Sequence, residues 1–545
     1  MKKIRLTEVS AQLGKVQEAV HRFAQKDHPL NLAALQALLL IDEQAQPAFD
    51  LVRQQYIQNP RMSKQIEEKL WQDIVGFSRD MLAAYQRFVL LEEPKPEEAS
   101  EFQKLTAIML ARALHYISIQ MKWHFFRFSA PDPKLWSAAH QIYRLSEVSD
   151  VDSDPFSLYP ALSSPTTSCA DEYVQIMMLA TLNNGNFSFR QFDWADRWLD
   201  SWSRHIQIER KYRANVHQFC LNLQEPAGPS KIHDQVDGET MRYWGVIELL
   251  AEMTKIIKQL EAGESPQRLG LGDDCRMPGC LDFMKQLEIL WSRELTHQIH
   301  RSERHKVNKL VEVVQGLNNI FQAIRQDDDR IMSVQTMKRT PESAEVMDMK
   351  LYGFVTDRTK QRMAEMQNKH SSYAPRHLET VSWVLENQSE GGFGAVLPVN
   401  GNDWVRLGVL VGMRNDANSN WILAVIRRLN RIDTEHLYAG LQILSTASVS
   451  VTMRSEDEHR RPSALSMSAD GLDTFGAIVP RLGLYIPHQT EGKRINTMLI
   501  QAADYSMDRF YHVTARDKHF TVKLGDMLEK GPDWIWSSVD LLRKD

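Results

Sequence analysis

Through residues 3–326 the apolar positions recur mainly at helical spacing. Leu6, Val9, Leu13, Val16, Val20 and Phe23 advance by threes and fours, which lays a single stripe along one helix. Residues 62–91 and 100–128 predict longer helices of the same kind. Pro94 and Pro96 part them, because proline lacks the N–H and clashes with the preceding turn. Helical texture continues at 135–145, 171–182, 191–206, 240–260 and 281–324, the last in two pieces. Residues 149–167 and 262–279 are rich in Asp, Ser, Gly and Pro and predict loops. Residues 216–223 alternate loosely and predict a strand on the helical body. Asp327-Asp-Asp-Arg330 opens a polar linker reaching about Ser343. Aromatic residues gather where helices should pack, among them Trp123, Phe125, Phe126, Phe128, Trp136, Trp194, Trp198 and Trp202. No fixed-period repeat is visible, so this part reads as a helical interaction scaffold.

Beyond Leu351 the period changes. In 376–386, Val381, Trp383 and Leu385 alternate and share one face of a strand. Asn387 to Gly392 is turn chemistry, since Asn tolerates left-handed geometry and two glycines free the backbone. Residues 393–398, 409–414, 421–429 and 436–445 predict further short strands, with turns at Asn400-Gly401 and 416–420. Short strands at close spacing point to a small antiparallel barrel or sandwich. Residues 463–468, 477–479, 482–486, 495–501 and 509–515 continue the style as a second small β-domain or an elaboration of the first; 533–542 reads as a short helix. The expected fold class is therefore multidomain α+β: a mainly α-helical body over 1–326, a linker over 327–350, an antiparallel β-barrel over 351–451, and a β-rich extension over 452–545.

A length of 545 residues fits several domains. Hydrophobic content of 43% and charged content of 25% are those of a soluble globular protein. The net charge of −5 excludes bulk attraction to nucleic acid or an anionic membrane. An anion site must then be a local cluster of arginines. Met1-Lys-Lys-Ile4 has no apolar core behind it and is not read as a secretory signal. The longest apolar run, 30–41, holds Asn31 and Gln36 and is too short to span a bilayer. The cytoplasm is the expected compartment. Four cysteines in this length imply no disulfide framework. Cys275 and Cys280, with His233 far upstream, are too loosely spaced for zinc and are expected as free loop thiols.

Two short motifs carry the candidate chemistry. Arg358-Thr-Lys-Gln-Arg362 reads R-x-x-x-R, and Asn387-Gln-Ser389-Glu-Gly391-Gly392 reads N-x-S-x-x-G. Either alone is weak, but in this order with strands following they are specific. Downstream come Trp404-Val-Arg-Leu-Gly408, a hydrophobic strand ending in Arg427-Arg428, and Gly440 opening the last strand. This combination, over residues 351–451, resembles the PilZ family, whose members bind the bacterial second messenger cyclic di-GMP. The resemblance implies a β-barrel with a flexible arginine arm. Arg358 and Arg362 would clamp the ligand, since a guanidinium holds two parallel hydrogen bonds to phosphate or to guanine O6 and N7. Asn387 and Ser389 would contact guanine and phosphate, and Gly391 and Gly392 would let the backbone come close. Arg427 or Arg428 would add charge at the barrel rim.

Other constellations weigh less. Glu18-x-x-His21 and Glu294-x-x-His297 have the spacing of di-iron helix bundles, but such pairs arise easily in helices. Arg301, Arg304, His305, Lys306 and Lys309 read as a basic helix face, solvated or touching a partner, interrupted by Glu294, Glu303 and Glu312. Arg460-Arg461 either reaches the ligand or sits in a turn. The expected function is that of a cytoplasmic cyclic di-GMP receptor, not an enzyme and without cofactor or metal. Ligand would order the arginine arm, change how the barrel sits on the helical body, and alter affinity for a protein partner in motility, adhesion or biofilm control. Two other classes compete: a helical scaffold carrying a silent barrel, and a metal-dependent enzyme built on the two Glu/His pairs.

Overall fold

The computed structural model describes residues 6–544 except 26, 60–61, 92–94, 163, 234–236, 293–302, 340–347, 349–355, 357–377, 417–418, 456–480, 491–492 and 517. The chain divides into two compact units, Met1–Arg301 and Ser302–Asp545.

The first unit is built from nine described helices: α1 (Leu6–Ala24), α2 (Leu32–Gln58), α3 (Lys64–Val89), α4 (Ala99–Phe126), α5 (Pro133–Val148), α6 (Cys169–Ala180), α7 (Phe189–Trp202), α8 (Ile247–Glu261) and α9 (Gly279–Trp291). Strands β1 (Phe156–Ser157) and β2 (Thr166–Thr167) pair, and β3 (Phe219–Asn222), β4 (Ser230–Lys231) and β5 (Met241–Trp244) make a small antiparallel sheet. The α1 stripe is amphipathic as its spacing requires: Val9, Leu13, Val20 and Phe23 are buried. Helix α4 differs, being buried on nearly every face from Met109 to Met121, as a central helix must be. The expected helix over 240–260 begins with β5, because Tyr243 exchanges backbone hydrogen bonds with Glu209 before the chain turns into α8. Cys275 and Cys280 are joined as a disulfide rather than left as free thiols. The loop folds back into the first turn of α9, where the Cys280 N–H donates to the Arg276 carbonyl at 3.0 Å, and this closes the two Cα atoms to 5.4 Å.

A polar network lies inside this helical core. Asp42 is fully buried on α2 and accepts hydrogen bonds from the Tyr116 hydroxyl at 2.5 Å, the Tyr85 hydroxyl at 2.6 Å and Gln46 at 2.8 Å. The buried Arg112 guanidinium of α4 lies 3.4 Å from Asp42 and donates to the carbonyls of Leu39 and Leu158. Burial, then the Asp42 charge, pushes the Tyr85 and Tyr116 hydroxyls well above the ordinary phenol range, so both stay donors.

His140 of α5 gives this unit a pH dependence. Its Nε2 donates to the Ala227 carbonyl at 3.0 Å, and its Nδ1 accepts from the Tyr173 hydroxyl at 2.6 Å. Burial holds His140 below the ordinary imidazole range, and likewise His124 of α4. The unfolded chain then binds more protons than the folded one. Stability is full above about pH 6.5 and falls as pH drops through that value. Carboxyls raised by desolvation, those of the half-buried Asp73 and Asp171 and the exposed Asp200, act with opposite sign in the more acidic carboxylate window. Calorimetry between pH 7.5 and 5.5 should show the helical transition moving to lower temperature. His140→Gln should flatten that slope, and an unchanged slope would clear His140 of responsibility.

Among its described residues the second unit holds two closed antiparallel barrels and one α-helix. Strands β6 (His305–Gln315), β7 (Val381–Ser389), β8 (Gly392–Pro398), β9 (Leu410–Arg414), β10 (Ile422–Arg431) and β11 (His436–Ser445) close in the order β10-β11-β8-β7-β6-β9. Strands β12 (Val449–Ser455), β13 (Arg481–Thr490), β14 (Lys493–Gln501), β15 (Phe510–Ala515), β16 (Lys518–Lys530) and β17 (Trp534–Lys544) close in the order β12-β13-β14-β17-β16-β15. The first lumen is plugged by Trp383, fully buried, which donates to Asn402 at 3.0 Å.

Three local expectations are corrected here. The second helical piece of 281–324 begins as strand β6: Val311 and Val313 alternate into the barrel, and β-branched residues suit a pleated wall. The polar linker beginning at Asp327 is helix α10 (Gly316–Arg339). Leu317, Ile320, Phe321 and Ile324 bury its stripe in a cluster shared with both barrels. Asp327 accepts from Trp421 Nε1 at 2.8 Å and pairs with Arg414 at 3.0 Å, while Asp328 pairs with Arg516 at 2.8 Å, so the acidic run ties the helix to both barrels. Residues 533–542 form strand β17 rather than a helix, because Trp534 and Trp536 pack in that shared cluster while Ile535 faces the second lumen. The expected strands at 463–468 and 477–479 lie outside the described residues.

Candidate functional site

Asn387 and Ser389 end β7, and Gly392 opens β8 across a two-residue turn, with Ser389 opposite Gly392. The motif is thus the tip of a hairpin, and all of its residues but Glu390 and Gly391 are strand positions. Neither Gly391 nor Gly392 is in the left-handed region. Gly391 is open: a Cβ there would meet nothing within 4 Å. Gly392 has a packing reason, since a Cβ would stand 2.3 Å from the Leu441 carbonyl oxygen of β11. The Ser389 hydroxyl donates to the Gly392 carbonyl at 3.3 Å.

Register then shows what surrounds Asn387. A bulge at Glu386 shifts β7 against β8, so that Asn387 pairs with Gly394. Phe393, Ala395 and Leu397 are buried inward, which leaves Gly394 on the outer face of the barrel. Gly394 pairs with Gly440 on β11, and Gly440 with Arg428 on β10. On the other side Asn387 pairs with Lys306 on β6. Cross-strand partners share a face. Lys306, Asn387, Gly394, Gly440 and Arg428 therefore form one row over five strands, spanning about 19 Å at the usual strand spacing. Cations stand at its two ends, and two glycines give it a floor without side chains.

The floor is tight where Asn387 crosses it. The Asn387 amide donates to the Tyr438 hydroxyl at 2.9 Å. A Cβ on Gly394 would lie 2.1 Å from that hydroxyl and 2.6 Å from both Asn387 amide atoms. Beside this row, the bulge residue Arg427 donates to Gln442 at 2.7 Å and forms a two-pronged ion pair with Glu529 of β16. Arg427 is thus engaged between the barrels.

Lys306, Gly394 and Tyr438 were not legible as site residues. Arg304, His305 and Lys306 had the texture of a basic helix face; as the approach to β6 and its first residues they are exposed, with His305 opposite Gln388 and Lys306 opposite Asn387. Arg358 and Arg362 lie outside the described residues, as do Glu294, His297, Arg460 and Arg461. Among the described residues no three His, Cys, Asp or Glu side chains gather to hold a metal ion. No described helix is long and apolar enough to cross a membrane.

A closed antiparallel barrel carrying N-x-S-x-x-G on a hairpin fits the PilZ resemblance, and this chain is a PilZ-domain protein. Residues 294–449 match the family model described as the middle PilZ domain of the cyclic-di-GMP receptor FimW, and residues 1–214 match the N-terminal domain model of the same receptor. Together these two matches indicate a cyclic-di-GMP receptor of the FimW kind. The match to the middle domain begins before β6, in agreement with the strand that closes the barrel. No curated protein and no solved structure gives a match.

Proposed function

We propose that this protein binds cyclic di-GMP on the outer face of the first barrel and passes the signal to a protein partner through the helical unit. The observation that carries the reading is the row Lys306–Asn387–Gly394–Gly440–Arg428. Gly394 lets the Asn387 and Tyr438 side chains lie close to the sheet, so that a planar base would meet them rather than a raised wall. The Asn387 amide offers a donor and an acceptor to a base edge, and Lys306 and Arg428 place charge where phosphates would fall. Ser389, Gly391 and Gly392 form the tip beside it. Arg358 and Arg362 are the arm that closes over the ligand, and their ordering is the switch. The reading is that of a receptor rather than an enzyme, with the helical unit, residues 1–301, as the interaction scaffold, acting in motility, adhesion or biofilm control in the cytoplasm.

Isothermal titration of cyclic di-GMP into the full chain tests this. The unsubstituted protein should give saturable heat. Arg358→Ala and Arg362→Ala should each cost about 1.5–3 kcal/mol, the worth of a charge-assisted contact, or roughly 10- to 150-fold in affinity. Lys306→Ala, an exposed cation, should cost less and reduce the salt dependence. Absence of heat from the unsubstituted protein would leave a scaffold with a silent barrel.

A further inference from the structure

The second barrel has an opening at one end of its lumen. There lies a cavity of about 490 Å³ to which all six strands contribute, among them Val451, Tyr485, Met498, Val513, Val522 and Val539. Cavities of roughly 300–1,000 Å³, mostly apolar with a few polar groups at one end, are the usual form of small-molecule sites, and barrel mouths are a common place for them. The cause is composition. The closed end of the lumen is filled by long side chains, Met453, Ile500, Tyr511 and Leu524. Toward the open end Val449, Val451, Val513, Ala515, Val522 and Val539 line much of the wall, and these short side chains leave the lumen unfilled. Elsewhere protein interiors are close-packed, so an unfilled apolar lumen in so narrow a barrel marks a place for a ligand. Nothing in the cyclic di-GMP reading uses this cavity.

The mouth is polar and basic. Tyr485 donates to Asn496 at 2.7 Å there. Arg516 and Lys518 flank the β15–β16 turn at the rim, and Arg516 is shared with Asp328. An apolar bore under a cationic rim selects an amphiphile with its chain inward and its charge outward. We propose that the second barrel holds a long-chain fatty acid, the alkyl chain in the lumen and the carboxylate at Lys518.

The test uses the full-length protein and palmitate, followed by displacement of a fluorescent fatty acid. Saturable binding at one site per chain is expected. Ala515→Phe, which fills the mouth, should abolish it. Lys518→Glu, an exposed change that the fold tolerates, should weaken it about tenfold at low salt by putting like charges together. Both variants should titrate with cyclic di-GMP as the unsubstituted protein does. Absence of saturable palmitate binding, or binding that survives both substitutions, would overturn the proposal. Hexadecanol bound as tightly as palmitate would overturn the assignment of the head group.

Discussion

Asp42→Ala should unfold the helical unit at temperatures the unsubstituted protein withstands. The carboxylate is fully buried and serves as the counter-charge of Arg112, which is also buried. It is also the acceptor of two tyrosine hydroxyls and of Gln46. Removing one partner of a buried pair leaves an uncompensated charge and costs about 3–5 kcal/mol. Against a total stability of roughly 5–15 kcal/mol this is a large share. Calorimetry should place the helical transition lower by about ten degrees. The barrel unit, which has its own cores, should unfold where it did before. Asp42→Asn keeps one acceptor oxygen and loses the charge, so it should fall between. Adding Arg112→Met to Asp42→Ala should recover part of the loss, because the unpaired charge goes with it. A double variant no better than Asp42→Ala would show that the tyrosines, not the ion pair, are the sensitive partners.

Gly394→Ala should cost both stability and ligand affinity. Its Cβ would fall within 2.6 Å of three atoms, the Tyr438 hydroxyl oxygen and both polar atoms of the Asn387 amide. Both side chains must swing off the barrel face, and the Asn387–Tyr438 hydrogen bond breaks with them. Overpacking of this kind costs about 1–3 kcal/mol. Affinity for cyclic di-GMP should fall at least about tenfold, equivalent to some 1.4 kcal/mol, because Asn387 leaves its position on the row. Gly391→Ala is the comparator: a Cβ there meets nothing, so the barrel should keep its stability. Tyr438→Phe removes only the hydroxyl and should do less than Gly394→Ala. Normal titration by Gly394→Ala would mean that the ligand does not use this face.

Much of the architecture is local and was legible. Strands β8 to β11 were read within a few residues because alternation and turn residues sit next to each other in the chain, and the expected strand over 436–445 coincides with β11. Helix α1 declared itself by its stripe. Strand β6 did not, because Val311, Val313 and Val314 followed by Leu317 fit a period of two or of 3.6 equally well, and only pairing with β7 and β9 decides. Helix α10 was hidden by Asp327 and Asp328, which have the look of a solvated linker until Arg414, Trp421 and Arg516 are set against them. The Cys275–Cys280 bridge depends on how a loop folds back, which spacing alone does not state.

The sequence by itself determined the helical-then-β order, the hairpin tip at Asn387 to Gly392, and the paired motif that points to cyclic di-GMP, because each rests on neighbours in the chain. The tertiary structure alone decided the site's surroundings. Lys306, Gly394, Gly440 and Arg428 lie on four different strands, and a slip of one residue in any of them would turn its side chain to the opposite face. Register between distant strands is set by bulges and by the closure of the barrel, and no single stretch of chain carries that information.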